Sequence, residues 1–82
     1  MNDFYVHGHA VPAEIQLALI AKMKQGPFKA AAIQAEACRL GLPEFSDSRQ
    51  PVAMRAADRI IQRERKAGNI ELRRPFWVWV CT

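Results

Sequence analysis

The spacing of apolar positions along this chain changes character several times. Between residues 13 and 25, Ile15, Ala18, Leu19 and Met23 recur at steps of three and four, which predicts an amphipathic helix. Pro12 suits its first turn, where a missing N–H costs nothing, and Glu14 lies near the positive end of the helix dipole. Leu17 and Ile20 widen the stripe beyond one face, so either the N-terminal arm or a second subunit has to cover them. Gly26-Pro27 stops this helix. In "FKAAAIQAEACRL" a second stripe runs through Ala30, Ile33, Ala37 and Leu40, on alanines of high helix propensity, with Gly41 as the C-terminal cap. The third pattern is the clearest. Ala53, Ala56, Ala57, Ile60 and Ile61 fall at i, i+3, i+4, i+7 and i+8, within a helix expected over about 49–67 and ended by Gly68.

The remaining segments lack that period. Residues 1–11 read as an arm or a short strand at Phe4-Tyr5-Val6, broken by Gly8. "GLPEFSDSRQP" is a loop of turn formers, in which Ser46, Asp47 or Ser48 could cap the third helix and Pro51 could enter its first turn. "NIEL" and "FWVWV" are strand-like around "RRP", which predicts a β-hairpin. Alternate residues of the returning strand, either Phe76/Val78/Val80 or Trp77/Trp79, should face the core. A bare "FWVWV" edge would template aggregation, so a covered face and at least one covered edge are expected, with Phe4-Tyr5-Val6 the nearest cover.

Half of the 82 residues are hydrophobic, enough for one small core and one domain, 12–82, preceded by the arm. No run approaches the ~18–20 apolar residues of a membrane span, and residues 1–12 lack a basic-then-apolar leader. Cys38 and Cys81 permit one disulfide but form no framework, which favours ordinary thiols in a reducing cytoplasm. Charge changes the picture more. Residues 1–48 carry four Lys/Arg against five Asp/Glu, whereas 49–82 carry eight against three, so the whole +4 excess lies in the last 34 residues. A one-sided basic surface is the footprint of a polyanion partner; the bland alternative is a solvated basic face.

Catalytic signatures are absent: no Gly-rich phosphate loop, no nucleophile–base pattern and no carboxylate pair at motif spacing. His7 and His9 stand two apart without the Cys-x-x-Cys or Glu-x-x-His that a metal site would add. A non-enzyme without cofactor, metal or small-molecule substrate is expected.

The order helix, link, helix, loop, basic helix, glycine, hairpin resembles the winged helix-turn-helix family, mainly over residues 26–80. "GPFKAAAIQAEA" is similar to the family's entry to its second helix, where a residue near Phe28 often forms a minimal first strand. "AADRIIQRERKAGNIEL" resembles its third helix, and "RRP" its wing tip. The resemblance implies a small α+β winged-helix domain, three helices followed by a C-terminal hairpin, with an N-terminal strand as an option. It implies double-stranded DNA as partner, a regulatory or architectural role, and a homodimer on paired half-sites. The third helix would offer Arg49, Gln50, Arg55, Arg59 and Gln62 to bases, since arginine and glutamine pair bidentately with guanine and adenine. Arg65, Lys66, Arg73 and Arg74 would meet phosphates. Asp58 on the same face works against that. The alternative use of such a fold is protein binding, through Leu17, Ile20, Trp77 and Trp79 together with the arginines. Two features depart from the family. Glu64 stands where a buried leucine is usual and needs a partner, with Arg39 or Arg73 as candidates, or else a more exposed helix end; and the loop at about 41–48 exceeds the compact turn of simple members.

Overall fold

Two antiparallel hairpins bracket three helices in the computed structural model, which describes residues 3–81. The order is β1 (Phe4–Val6), β2 (His9–Val11), α1 (Ala13–Met23), α2 (Ala30–Arg39), α3 (Ala53–Lys66), β3 (Ile70–Arg73) and β4 (Phe76–Trp79). The small α+β architecture read from periodicity is therefore present. No helix among the described residues is long and apolar enough to cross a membrane.

Residues 4–11 form a hairpin, with Phe4 opposite Val11 and Val6 opposite His9. Its two-residue turn, His7-Gly8, takes φ of 48° and 83°. Both values lie in the left-handed region that matches the twist of a tight hairpin. Phe4–Val6 thus pair with β2 and not with the C-terminal strand. That role falls to Phe28, which exchanges backbone hydrogen bonds of 2.9 and 2.8 Å with Trp77. β4 is consequently bonded on both edges, by β3 and by the link between α1 and α2. β3 remains the outer strand, short and charged at Glu71 and Arg73, which is how exposed edges resist further pairing.

The core gathers Leu19 and Met23 from α1, Ile33 and Ala37 from α2, the apolar stripe of α3, and Val6, Val11, Phe28 and Ile70 from the strands and link. Trp77 and Trp79 pack against it, while Phe76 and Val80 stay exposed, so the tryptophans form the core-facing set of β4. The ends of α2 and α3 share one device. Gly41 and Leu42 donate back to the Cys38 and Ala37 carbonyls, and Gly68 and Asn69 to those of Arg65 and Glu64. Both glycines adopt positive φ, 110° and 79°, the conformation this cap demands and one that side chains disfavour.

Two expectations fail at α3. Its first residue is Ala53, not about 49, and no side chain caps it. Ser46 is committed to its own loop, where its Oγ accepts from the Gln50 N–H and meets the Ser48 Oγ. Arg49 turns left-handed at φ 62°, Pro51 bridges Phe45 outside the helix, and the Glu44 and Pro43 carbonyls accept the Val52 and Ala53 N–H groups. The loop's backbone thus does the capping.

Glu64 is the second correction. It is buried, and its partners are Arg63 Nε at 3.1 Å and Asn69 Nδ2 at 3.0 Å; Arg39 and Arg73 pair instead with Glu36 and Glu71. Arg63 also donates through Nη1 to Oε1 of Gln16 at 2.7 Å, and Gln16 Nε2 donates to the Val11 carbonyl at 2.9 Å. Gln16 is fully buried, so the inner face of α1 runs Gln16, Leu19, Ile20, Met23. This chain of polar contacts ties the N-terminal hairpin to α1, α3 and the start of the C-terminal hairpin. Gln16→Leu keeps the volume but removes a donor and an acceptor from buried partners. It should cost about 2 kcal/mol, from the desolvation of groups left without that contact. Thermal unfolding should show a Tm about 8–16 °C lower for a domain of this size.

Candidate nucleic-acid interface

The buried stripe of α3 sets where its polar side points. At ~100° per residue the direction opposite Ile60, Ala53 and Glu64 centres on Gln62, with Arg55, Asp58, Arg65 and Lys66 around it and Arg59 at one flank. Arg55, Asp58, Arg59, Arg65 and Lys66 are exposed and Gln62 is half-buried. Arg65 Nε donates to Gln62 Oε1 at 2.8 Å, which holds that amide on the open face.

Two hollows flank this ridge. One of about 400 Å³ lies between α2 and α3, lined by Ala30, Gln34, Met54, Arg55, Ala57 and Asp58. The other, about 330 Å³, is lined by Asp58, Arg59, Gln62, Arg63 and Lys66. Asp58 borders both and is the one carboxylate on the face.

Arg59 is held rather than free-standing. Its guanidinium carbon lies 4.2 Å from the centre of the Phe4 ring, and Nη1 donates to the Tyr5 carbonyl at 3.0 Å. The N-terminal hairpin therefore borders the basic face, a neighbour that was not anticipated. The sequence signal for it was modest: apolar residues on either side of a two-residue turn ending in Gly8.

The other expected residues divide. Arg49 and Gln50 lie in the loop before α3 and not on the helix; Arg49 lines a separate hollow with Phe45. Arg73 ends β3 in an ion pair with Glu71, and Arg74 sits in the exposed hairpin turn. Of the four apolar candidates, Leu17 is 56% exposed, whereas Ile20 is buried and Trp77 and Trp79 are half-buried against the core. Lys24 lies 4.9 Å from the centre of the Trp79 ring. Ile20 thus finds its cover within the chain.

Among the described residues the ion pairs are Arg39–Glu36, Arg63–Glu64 and Arg73–Glu71. None involves Arg49, Arg55, Arg59, Arg65, Lys66 or Arg74. On α2, the hydrogen bond from Arg39 holds the Glu36 carboxyl below its ordinary range. Both cysteines are exposed. No group of three His, Cys, Asp or Glu is placed to hold a metal among the described residues. Neither protein-family models, nor curated proteins, nor solved structures give a match to this chain.

Proposed function

We propose that this chain is a winged-helix domain that binds double-stranded DNA, with α3 entering the major groove and the β3–β4 turn meeting the backbone. The observation that carries the reading is the uncompensated charge of α3: Arg55, Arg59, Arg65 and Lys66 share its outer side, and no ion pair among the described residues neutralises any of them. A helix of 14 residues is ~20 Å long, enough to lie along a groove ~12 Å wide. Support for the family topology comes from Phe28, which pairs with Trp77 and so makes a third strand position between α1 and α2. Arg55 and Gln62, nearest the centre of the open face, are the candidates for base edges. Arg65, Lys66 and Arg74 serve phosphates.

Fluorescence anisotropy of a labelled duplex at several salt concentrations tests this. About three phosphate contacts should give a slope of log K against log salt of roughly −3, with micromolar binding to arbitrary sequence. Absence of binding at ~50 mM salt, where electrostatic association is strongest, would overturn the proposal.

A further inference from the structure

The N-terminal hairpin, read from the sequence as the nearest cover for the C-terminal strand, instead makes contact with a cation of the proposed interface. Phe4 provides a ring face for Arg59, and the Tyr5 carbonyl takes one of the guanidinium's five N–H donors. An arginine stacked and bonded in this way has its plane fixed, and it lies toward the hairpin flank of α3 instead of at the centre of the open face. Lys66 is seven residues on, two turns along the helix, so it sits on the same flank about 10 Å away along the axis. The hollow between them is lined by Gln62 and Arg63 as well, with Asp58 on the far rim, about 100° round the helix from Arg59. Arg63 is already engaged by Gln16 and Glu64. Arg59 and Lys66 are the two cations there with no carboxylate partner among the described residues.

From this geometry we infer that Arg59 and Lys66 form a phosphodiester clamp, with Arg59 held in place by the hairpin through Phe4 and Tyr5. Arg59 then grips backbone and reads no base, and residues 4–11 belong to the DNA interface as its positioning element. The inference rests on the DNA reading above. It assigns the flank of α3 to one strand's phosphates and leaves the groove floor to Arg55 and Gln62. A planar guanidinium fixed in advance loses less freedom when it meets a phosphate, and it offers a fork that an ammonium cannot.

The test is anisotropy titration of wild type, Arg59→Ala, Arg59→Lys and Phe4→Leu against several unrelated duplexes over a range of salt, with Tm recorded for each protein. A clamp requires Arg59→Ala to weaken binding by a similar factor, about five- to tenfold, on every duplex and to reduce the salt slope by about one. Arg59→Lys and Phe4→Leu retain the charge, so the slope should stay near wild type while affinity drops two- to threefold from lost positioning. If wild type binds with a steep slope and Arg59→Ala matches it in affinity and slope, Arg59 merely staples the hairpin and the clamp is wrong. A loss confined to duplexes carrying one particular base pair would also overturn it, in favour of base reading. Failure of wild type to bind any duplex would remove the DNA reading, and the clamp with it.

Discussion

Alanine in place of Ile60 should lower the unfolding free energy by about 3 kcal/mol, the middle of the range for truncating a buried isoleucine. Ile60 is fully buried in the stripe of α3, among the apolar residues that form the core. The lost methylenes forfeit transfer energy, and the space they leave cannot collapse fully in so small a core. Domains of this kind stand on only about 5–15 kcal/mol, so the variant keeps a fold but loses much of its margin. Tm should drop by about 12–24 °C, and the urea midpoint should fall with an unchanged slope, the sign that stability changed and compactness did not. Met54→Ala is the control on the same helix. Met54 is 46% exposed, and its truncation should stay within about 0.5 kcal/mol of wild type. An Ile60→Ala cost below about 1 kcal/mol would contradict the packing of α3 described above.

The helical stripes carried most of the fold in the sequence, and the reasons are local. Ile33 and Ala37, or Ala53 through Ile61, repeat at the helix period because one face of each helix is buried, and Gly41 and Gly68 mark the ends because the cap requires positive φ. The start of α3 was less legible. Ser46 and Ser48 are good capping types, but side-chain identity does not say which backbone group a hydroxyl will serve, and the local loop took it. Gln16 escaped because pattern reading treats glutamine as polar and solvated. Its burial depends on Val11 and Arg63, one on a hairpin and the other 47 residues away. Glu64 was recognised as a problem, but its solution lay with its sequence neighbours Arg63 and Asn69 and not with the distant arginines. At the candidate interface the cations of α3 were readable from helical spacing alone. The seat of Arg59 on Phe4 was not, since it depends on a tertiary contact across 54 positions to Tyr5.

Reversing two of those cations, Arg55→Glu with Lys66→Glu, should weaken duplex binding by at least about a hundredfold at ~100 mM salt. Lys66→Glu removes a counterion-releasing contact and places a carboxylate against phosphate, and Arg55→Glu sets a second carboxylate in the groove floor between the strands, so attraction becomes repulsion at two points of the face. The salt slope should shrink by about one, since the phosphate met by Lys66 is no longer neutralised. Stability should scarcely change, because both side chains are exposed and neither belongs to an ion pair among the described residues. A Tm close to wild type therefore separates loss of binding from loss of fold. Net charge alone could produce some of this effect, so Lys22→Glu with Arg39→Glu serves as the comparison. It makes the same change in total charge on α1 and α2, where no DNA contact is proposed. A face-specific interface leaves that second pair within a few-fold of wild type, apart from a small penalty where Arg39 loses Glu36. Equal losses from both pairs would mean that the domain's overall charge holds the duplex and that α3 has no special place in it.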